Sequence, residues 1–203
     1  MMKTTRASEM SRTVRRALAH IAVGLAISIA AFFLHRDIMV AGLGVVTFGV
    51  LLVDLMRLRS ARMNAWFCRL FRPFLRDYET ARLLGASYLL VASLVTYTLF
   101  SMPVAVLAIT FMALGDSSAT LVGERFGRLK LFRKNVEGVL ACLLVCLAAA
   151  AIWHYAGLRV PLAVAIAGAV GAAIAEGIPI DIDDNLTIPI LSGALMWLVS
   201  FAV

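Results

Sequence analysis

The chain has little charge: 15% of its 203 residues are Asp, Glu, Lys or Arg, against 62% hydrophobic. Soluble globular domains carry about 25% charged and about 45–50% apolar residues. So few charges cannot cover so much apolar surface in a water-soluble fold of this size, and a disordered chain is excluded with it. Cysteine is scarce, at three residues, which excludes a disulfide scaffold. Cys142 and Cys146 lie about one helical turn apart with no His at ligand spacing beside them, so they read as core thiols. Cys68 sits in a basic connection and is expected to be reduced. There is no Gly/Ser/Pro-rich linker and no internal repeat, so residues 1–203 are expected to form one domain. A GxxxxGK[ST] string is also missing, which excludes a P-loop.

What is abundant is apolar runs. A membrane helix needs about 17–25 mostly apolar residues. Seven segments approach this: Ala17–Leu34, Ile38–Leu55, Leu84–Phe100, Met102–Gly115, Val136–Ala156, Leu158–Ala175 and Thr187–Val203. The expected fold is an all-α polytopic bundle of about seven transmembrane helices. The net charge of +7 has two explanations, nucleic acid or membrane topology, and position decides between them. The N-terminal tail holds Lys3, Arg6, Arg12, Arg15 and Arg16. The second-to-third connection holds Arg57, Arg59, Arg62, Arg69, Arg72, Arg76 and Arg82, and the fourth-to-fifth holds Arg125, Arg128, Lys130, Arg133 and Lys134. That leaves only Arg36 and Arg159, of 19 basic residues, on the other side. The positive-inside rule then puts the N-terminus in the cytoplasm and the C-terminus outside, in a bacterial inner membrane, and nucleic acid is not an expected partner. A six-span count would break the alternation. The basic leader before Ala17 resembles a signal peptide, but further spans come after it, so the first span reads as an anchor. Trp66, Phe67, Leu70, Phe71, Phe74 and Tyr78 alternate with arginines at helical spacing, as expected of an amphipathic helix anchored at the headgroup level; the alternative is a wall of a lipid entrance.

The acids are concentrated on the same side; of 12, only Asp37 falls outside. Two polar clusters end apolar spans. In Gly115–Gly127 the apolar helix is expected to stop at Gly115, with Asp116, Ser117 or Ser118 capping a new one whose N-terminus favours anions. Gly123 and Gly127 offer close backbone approach, and Arg125 begins a run of cations. In Glu176–Pro189 the acids Asp181, Asp183 and Asp184, with Asn185, gather as many oxygen ligands as a hard cation requires. Pro179 and Pro189 are expected to keep that segment from being one helix. Glu137 and Glu176 read as interfacial charges, and Asp54 with Arg57 as a surface pair. Ala163, Ala167, Gly171 and Ala175 form a small-residue stripe for close helix packing. By themselves these acids would also serve an ion-coupled transporter or a lipid-binding protein.

The strings GDSSATLVGERFGRLKLFRKNVEG and AEGIPIDIDDNLTIPI resemble the CTP-dependent lipid-alcohol kinases, the family of dolichol kinase, phytol kinase and the CTP-dependent diacylglycerol kinase. They are more distantly similar to phosphatidate cytidylyltransferases. The matching positions are Gly115, Asp116, Ala119 and Gly123; Lys134, Glu137 and Gly138; and Asp184, Asn185, Ile188 and Pro189. Asn135 stands where the family has Ser or Thr. Weaker matches are Arg16 with His20, and Arg76-Asp77-Tyr78-Glu79 ahead of Gly85. The resemblance implies transfer of the γ-phosphate of CTP to a lipid hydroxyl, with Mg²⁺ held by Asp116 and Asp184 and with Asn185 as a further ligand. Lys134, Arg133 and Arg125 would neutralise the triphosphate, and Gly115, Ser117, Gly123 and Gly127 would line its site. Glu137 would orient Lys134. The general base stays open between Asp181, Asp183 and the metal alone. His20, Arg76 and Glu79 are candidates for the lipid. The rival chemistry is cytidylyl transfer from CTP to a lipid phosphate. The oligomeric state is not legible.

Overall fold

The computed structural model describes residues 2–75, 77–132, 134–179 and 182–202; of residues 2–9 and Asp77 it describes the backbone alone. Arg76, Arg133 and Asp181 lie outside the described residues. The chain is helical almost throughout. α1 (Met2–Phe33) and α2 (Arg36–Arg59) are long, and α3 (Ala61–Phe71) comes after Ser60 alone. Ser60 closes α2 and starts α3, accepting a hydrogen bond from the Met63 amide. After a short 3₁₀ turn come α4 (Gly85–Leu99), α5 (Met102–Phe111) and α6 (Ser117–Phe126). A two-residue hairpin of β1 (Lys130–Leu131) and β2 (Lys134–Asn135) leads into α7 (Val136–Tyr155), α8 (Leu162–Gly177) and α9 (Asp184–Ser200).

Among the described residues, four helices are long and apolar enough to cross a membrane: Met10–Phe33, Arg36–Arg59, Met102–Phe126 and Val136–Tyr155. The expected spans over α4, α8 and α9 form shorter apolar helices. The third long helix joins α5 to α6 without a break, which corrects the expected stop at Gly115. A π-helical turn over Met112–Asp116 carries the chain through, and Asp116 keeps helical backbone with no capping bond from its side chain. Pro103, at the start of α5, falls where proline suits a helix. Pro189 likewise lies inside α9 instead of ending it. It costs one hydrogen bond: the Asn185 carbonyl cannot receive the bond that residue 189 would donate in an unbroken ladder.

Met102–Phe126 is the hub. Of its apolar stretch 78% is buried, against 22% for α1 and α2. Ala105, Ala108, Ile109, Phe111 and Met112 have no exposure, and α1, α4, α7, α8 and α9 all pack on this helix. The outer helices turn large apolar side chains outward, including Phe33, Val45, Phe48, Leu144 and Ile152. Water would penalise such a surface; a bilayer does not. The molecule has the outer surface of an integral membrane protein.

Of the small-residue stripe on α8, Gly171 and Ala175 are buried and Ala163 and Ala167 are not. Ala163 is exposed, whereas Gly168 and Gly171 meet Met196 and Ser192 of α9 so closely that a Cβ would collide. The inward face runs Ala165, Ala169, Ala172 and on to Glu176. That register aims Glu176 into the bundle.

Asp54 and Arg57 are not a surface pair. Both side chains have 0% exposure and are bonded to each other. Asp54 also accepts from the Leu84 amide at 2.8 Å and the Ser87 hydroxyl at 2.7 Å. Arg57 donates to Asn64 at 2.9 Å and to the Arg82 carbonyl at 2.6 Å, and its guanidinium lies over the Phe67 ring. This pair ties α2, α3, the loop before α4 and α4 itself together. Removing one partner strands a buried charge, so Asp54→Ala and Arg57→Met are each expected to cost about 3–5 kcal/mol. Thermal unfolding in detergent measures this; a loss below about 1 kcal/mol, the range of an exposed pair, would return the pair to the surface.

Candidate active site

The site gathers where α6, α8, α9 and the hairpin meet. Carboxylate oxygens of Asp116, Glu176 and Asp184 lie within 4.8 Å of one another. Asp116 comes from the π turn, Glu176 from the last turn of α8, and Asp184 from the first turn of α9. Lys134 reaches in from β2, and its ammonium donates to Glu176 and to Asp184, each at 2.7 Å. The hairpin makes that reach possible: Lys130 faces Asn135 and Leu131 faces Lys134 across it, and Phe132 takes a left-handed backbone (φ 53°) at the turn.

Burial is uneven across this group. Glu176 has a side chain only 3% exposed, while Lys134 and Asp184 are about a third exposed. Burial alone would make Lys134 easier to deprotonate, but the adjacent Glu176 and Asp184 carboxylates outweigh it and hold its pKa above the ordinary lysine value. One oxygen of Glu176 is taken by Lys134; the other, Oε2, is buried with no hydrogen-bond partner among the described residues, as is Asn185 Oδ1. Three carboxylates, unfilled buried oxygens and no soft ligand fit a hard divalent cation.

Asp116 and Asn185 also line a cavity of about 190 Å³. Its other walls include Arg16, His20, Phe74, Glu79, Gly85 and Ser117. Glu79 is 5% exposed and accepts from the Gly85 amide at 2.7 Å. A Cβ on Gly85 would touch both Glu79 and Asn185, so a side chain there would intrude between them.

The structure therefore brings together Asp116, Lys134, Asp184 and Asn185, and places Ser117, His20 and Glu79 on the adjoining cavity. It does not bring in the remaining candidates among the described residues. Glu137 accepts from the Arg128 and Leu129 amides, holding the start of the hairpin, and the direct partners of Lys134 are Glu176 and Asp184. Asp183 caps α9 by accepting from the Asn185 amide. Gly115 is pressed against Cys142 and Cys146 of α7, and the carbonyl of Gly123 receives the Asn135 amide at 3.1 Å. Gly127 also abuts Asn135. These glycines serve close helix and loop packing. Arg125 is exposed at the end of α6, stacked near Phe126. Sequence reasoning missed Glu176 as a member of the cluster. The signal was its place on the Ala165–Ala169–Ala172 face.

No protein-family model and no solved structure matches this chain. Two curated relatives do. The CTP-dependent diacylglycerol kinase 1 of Eremothecium gossypii is 26% identical over 171 residues, covering 72% of this chain and 54% of that protein. The CTP-dependent diacylglycerol kinase 1 of Saccharomyces cerevisiae is 26% identical over 171 residues, covering 71% of this chain and 58% of that protein. The chain is similar to the CTP-dependent lipid kinases. It spans just over half the length of the relatives it matches. The resemblance first seen in the Asp116 and Asp184 strings thus extends over most of the chain.

Lys134 bonds two carboxylates, one of them deeply buried. Lys134→Met is expected to lower stability by about 2–3 kcal/mol, between a surface pair and a fully buried one, and Glu176→Gln in that background should restore part of it. A raised lysine pKa stabilises fully below the unfolded value, about 10.4, and the gain is lost only as pH rises through the folded value. Loss of the Lys134 proton itself should therefore add no change of stability across neutral pH. Thermal unfolding of the double-mutant cycle checks both; additive losses would contradict the pairing.

Proposed function

We propose that this protein is a CTP-dependent kinase of a membrane lipid alcohol, working at the cytoplasmic face. The supporting observation is that Asp116 belongs both to the carboxylate cluster and to the cavity lined by His20, Glu79 and Asn185. A group handled by the cluster would thus adjoin whatever occupies the cavity. Names of the relatives favour CTP as donor and diacylglycerol as acceptor; polyprenols, dolichol and phytol present the same hydroxyl and belong to the same acceptor class.

The hydroxyl oxygen of the lipid attacks the γ-phosphorus, the bond from that phosphorus to the β–γ bridging oxygen breaks, CDP leaves, and the hydroxyl proton passes to water. Phosphoryl transfer asks for positioning and charge neutralisation. Asp116, Glu176 and Asp184, with Asn185, would hold Mg²⁺, which when bound neutralises phosphate charge and makes the alcohol more acidic. Lys134 releases its carboxylates to pair with phosphate oxygens as nucleotide arrives. His20 and Glu79 orient the lipid hydroxyl. Asp183 stays on the α9 N-terminus, where its capping bond holds Asn185 in place.

Membrane placement accords with the same reading. Seven helices cross, with the N-terminus cytoplasmic and the C-terminus outside, in a bacterial inner membrane. α8 and α9, at 16 and 17 residues, are shorter than the roughly 20 that a full span needs. Their cytoplasmic ends would therefore lie below the headgroups, with Glu176 and Asp184 in a recess at the depth of a lipid hydroxyl. α3 lies along the interface, with Trp66 and Leu70 exposed for the bilayer.

The test uses purified protein, γ-labelled CTP and a panel of lipid alcohols. Labelled phospholipid with CDP is expected, and Asp184→Asn should reduce the rate by at least about 100-fold, as removal of one stabiliser of transition-state charge does. Release of pyrophosphate with a lipid phosphate acceptor would make the protein a cytidylyltransferase. No CTP turnover with any acceptor would favour a transporter or lipid-binding protein.

A further inference from the structure

A second hollow, of about 400 Å³, lies between α2 and α3. Gly49, Val50 and Val53 of α2 form one side, and Phe67 and Phe71 of α3 the other. Its lining is almost entirely apolar, and Glu79 is the charged residue on it. The hollow shares Phe74, Glu79, Gly85 and Ala86 with the cavity beside Asp116. The two spaces therefore share one wall, at the hydrogen-bonded Glu79 and Gly85. Nothing lies within 4 Å of where a Cβ on Gly49 would stand, so glycine keeps this side open. Phe67 is positioned by the Arg57 guanidinium over its ring, which ties the groove wall to the buried Asp54–Arg57 pair.

We propose that this groove holds the hydrocarbon tail of the lipid alcohol, which enters sideways from the bilayer between α2 and α3 and brings its hydroxyl to the shared Glu79–Gly85 wall. The proposal rests on the kinase reading for the identity of the lipid. Its chemistry is that of the walls: an apolar channel ends at a carboxylate and then at a cluster able to hold a phosphate donor. A tail in the groove leaves an already apolar bilayer, so the binding comes from packing contacts, and shape sets selectivity more than hydrophobicity does.

The experiment is photolabelling in nanodiscs with a diacylglycerol carrying a diazirine on its acyl chain, mapped by mass spectrometry. Labels are expected on Val50, Val53, Phe67 and Phe71, displaced by excess diacylglycerol and not by phosphatidylcholine. Gly49→Trp should cut groove labelling by at least about fivefold by overpacking the space, and Val53→Phe provides a second, milder block. Both should raise the KM for the long-chain alcohol more than they lower kcat. Labels displaced equally by phosphatidylcholine would mark a structural lipid, and labels spread over bilayer-facing α1 and α7 would mark no site; either overturns the proposal. Groove labelling without CTP turnover supports the groove and rejects the kinase reading, whereas turnover without groove labelling rejects the groove alone.

Discussion

A carboxylate at the end of an apolar helix loses most of its water, and it stays charged only where a cation or several donors offset that loss. Glu176 is under this constraint more than any other group in the site. Its side chain is 3% exposed, one oxygen rests on Lys134, and the other is buried without a partner among the described residues. The geometry around it is arranged to deliver that lysine. Glu137 holds the amides at the start of the hairpin, the hairpin turns at Phe132, and Lys134 ends between Glu176 and Asp184. An ammonium between two carboxylates, with a third carboxylate close by, is an arrangement a divalent cation can take over.

The scaffold brings these groups together by close helix approach. Gly115 lets the π turn press on α7, and Gly168 and Gly171 let α8 press on α9. The polar ends of three helices then converge on one point. Pro189 adds to this by leaving the Asn185 carbonyl without its usual helical donor. A rigid hub and a short capped helix start hold the oxygens, while the more exposed Lys134 is the member with room to move.

Much of this was legible in the sequence. Apolar runs gave the helices, and the two polar strings gave Asp116, Asp184, Asn185 and Lys134. The illegible parts have physical causes. A π turn adds a residue within the helix and rotates the next turn by about 100°, so no helical wheel drawn from Met102 could say where Asp116 points. The four-residue count on α8 selected Gly171 and Ala175, which are buried, but also Ala163 and Ala167, which are not, and it passed over Glu176 on the adjoining inward face. Asp54 and Arg57 have the spacing of an ordinary surface pair; only the fold of the loop before α4, which brings the Leu84 amide and the Arg82 carbonyl to them, makes the pair internal. Pro189 reads as a breaker, but a helix held on several sides keeps it.

The central claim is that Asp116, Glu176 and Asp184 form one cation site. Its most direct measurement is Mn²⁺ binding to the purified protein by electron paramagnetic resonance. Even outer-shell partners change metal affinity by about 10–100-fold, so Glu176→Gln should weaken Mn²⁺ by at least about tenfold, while Glu137→Gln, on the hairpin, leaves it unchanged. Equal Mn²⁺ affinity in wild type and Glu176→Gln would contradict the account.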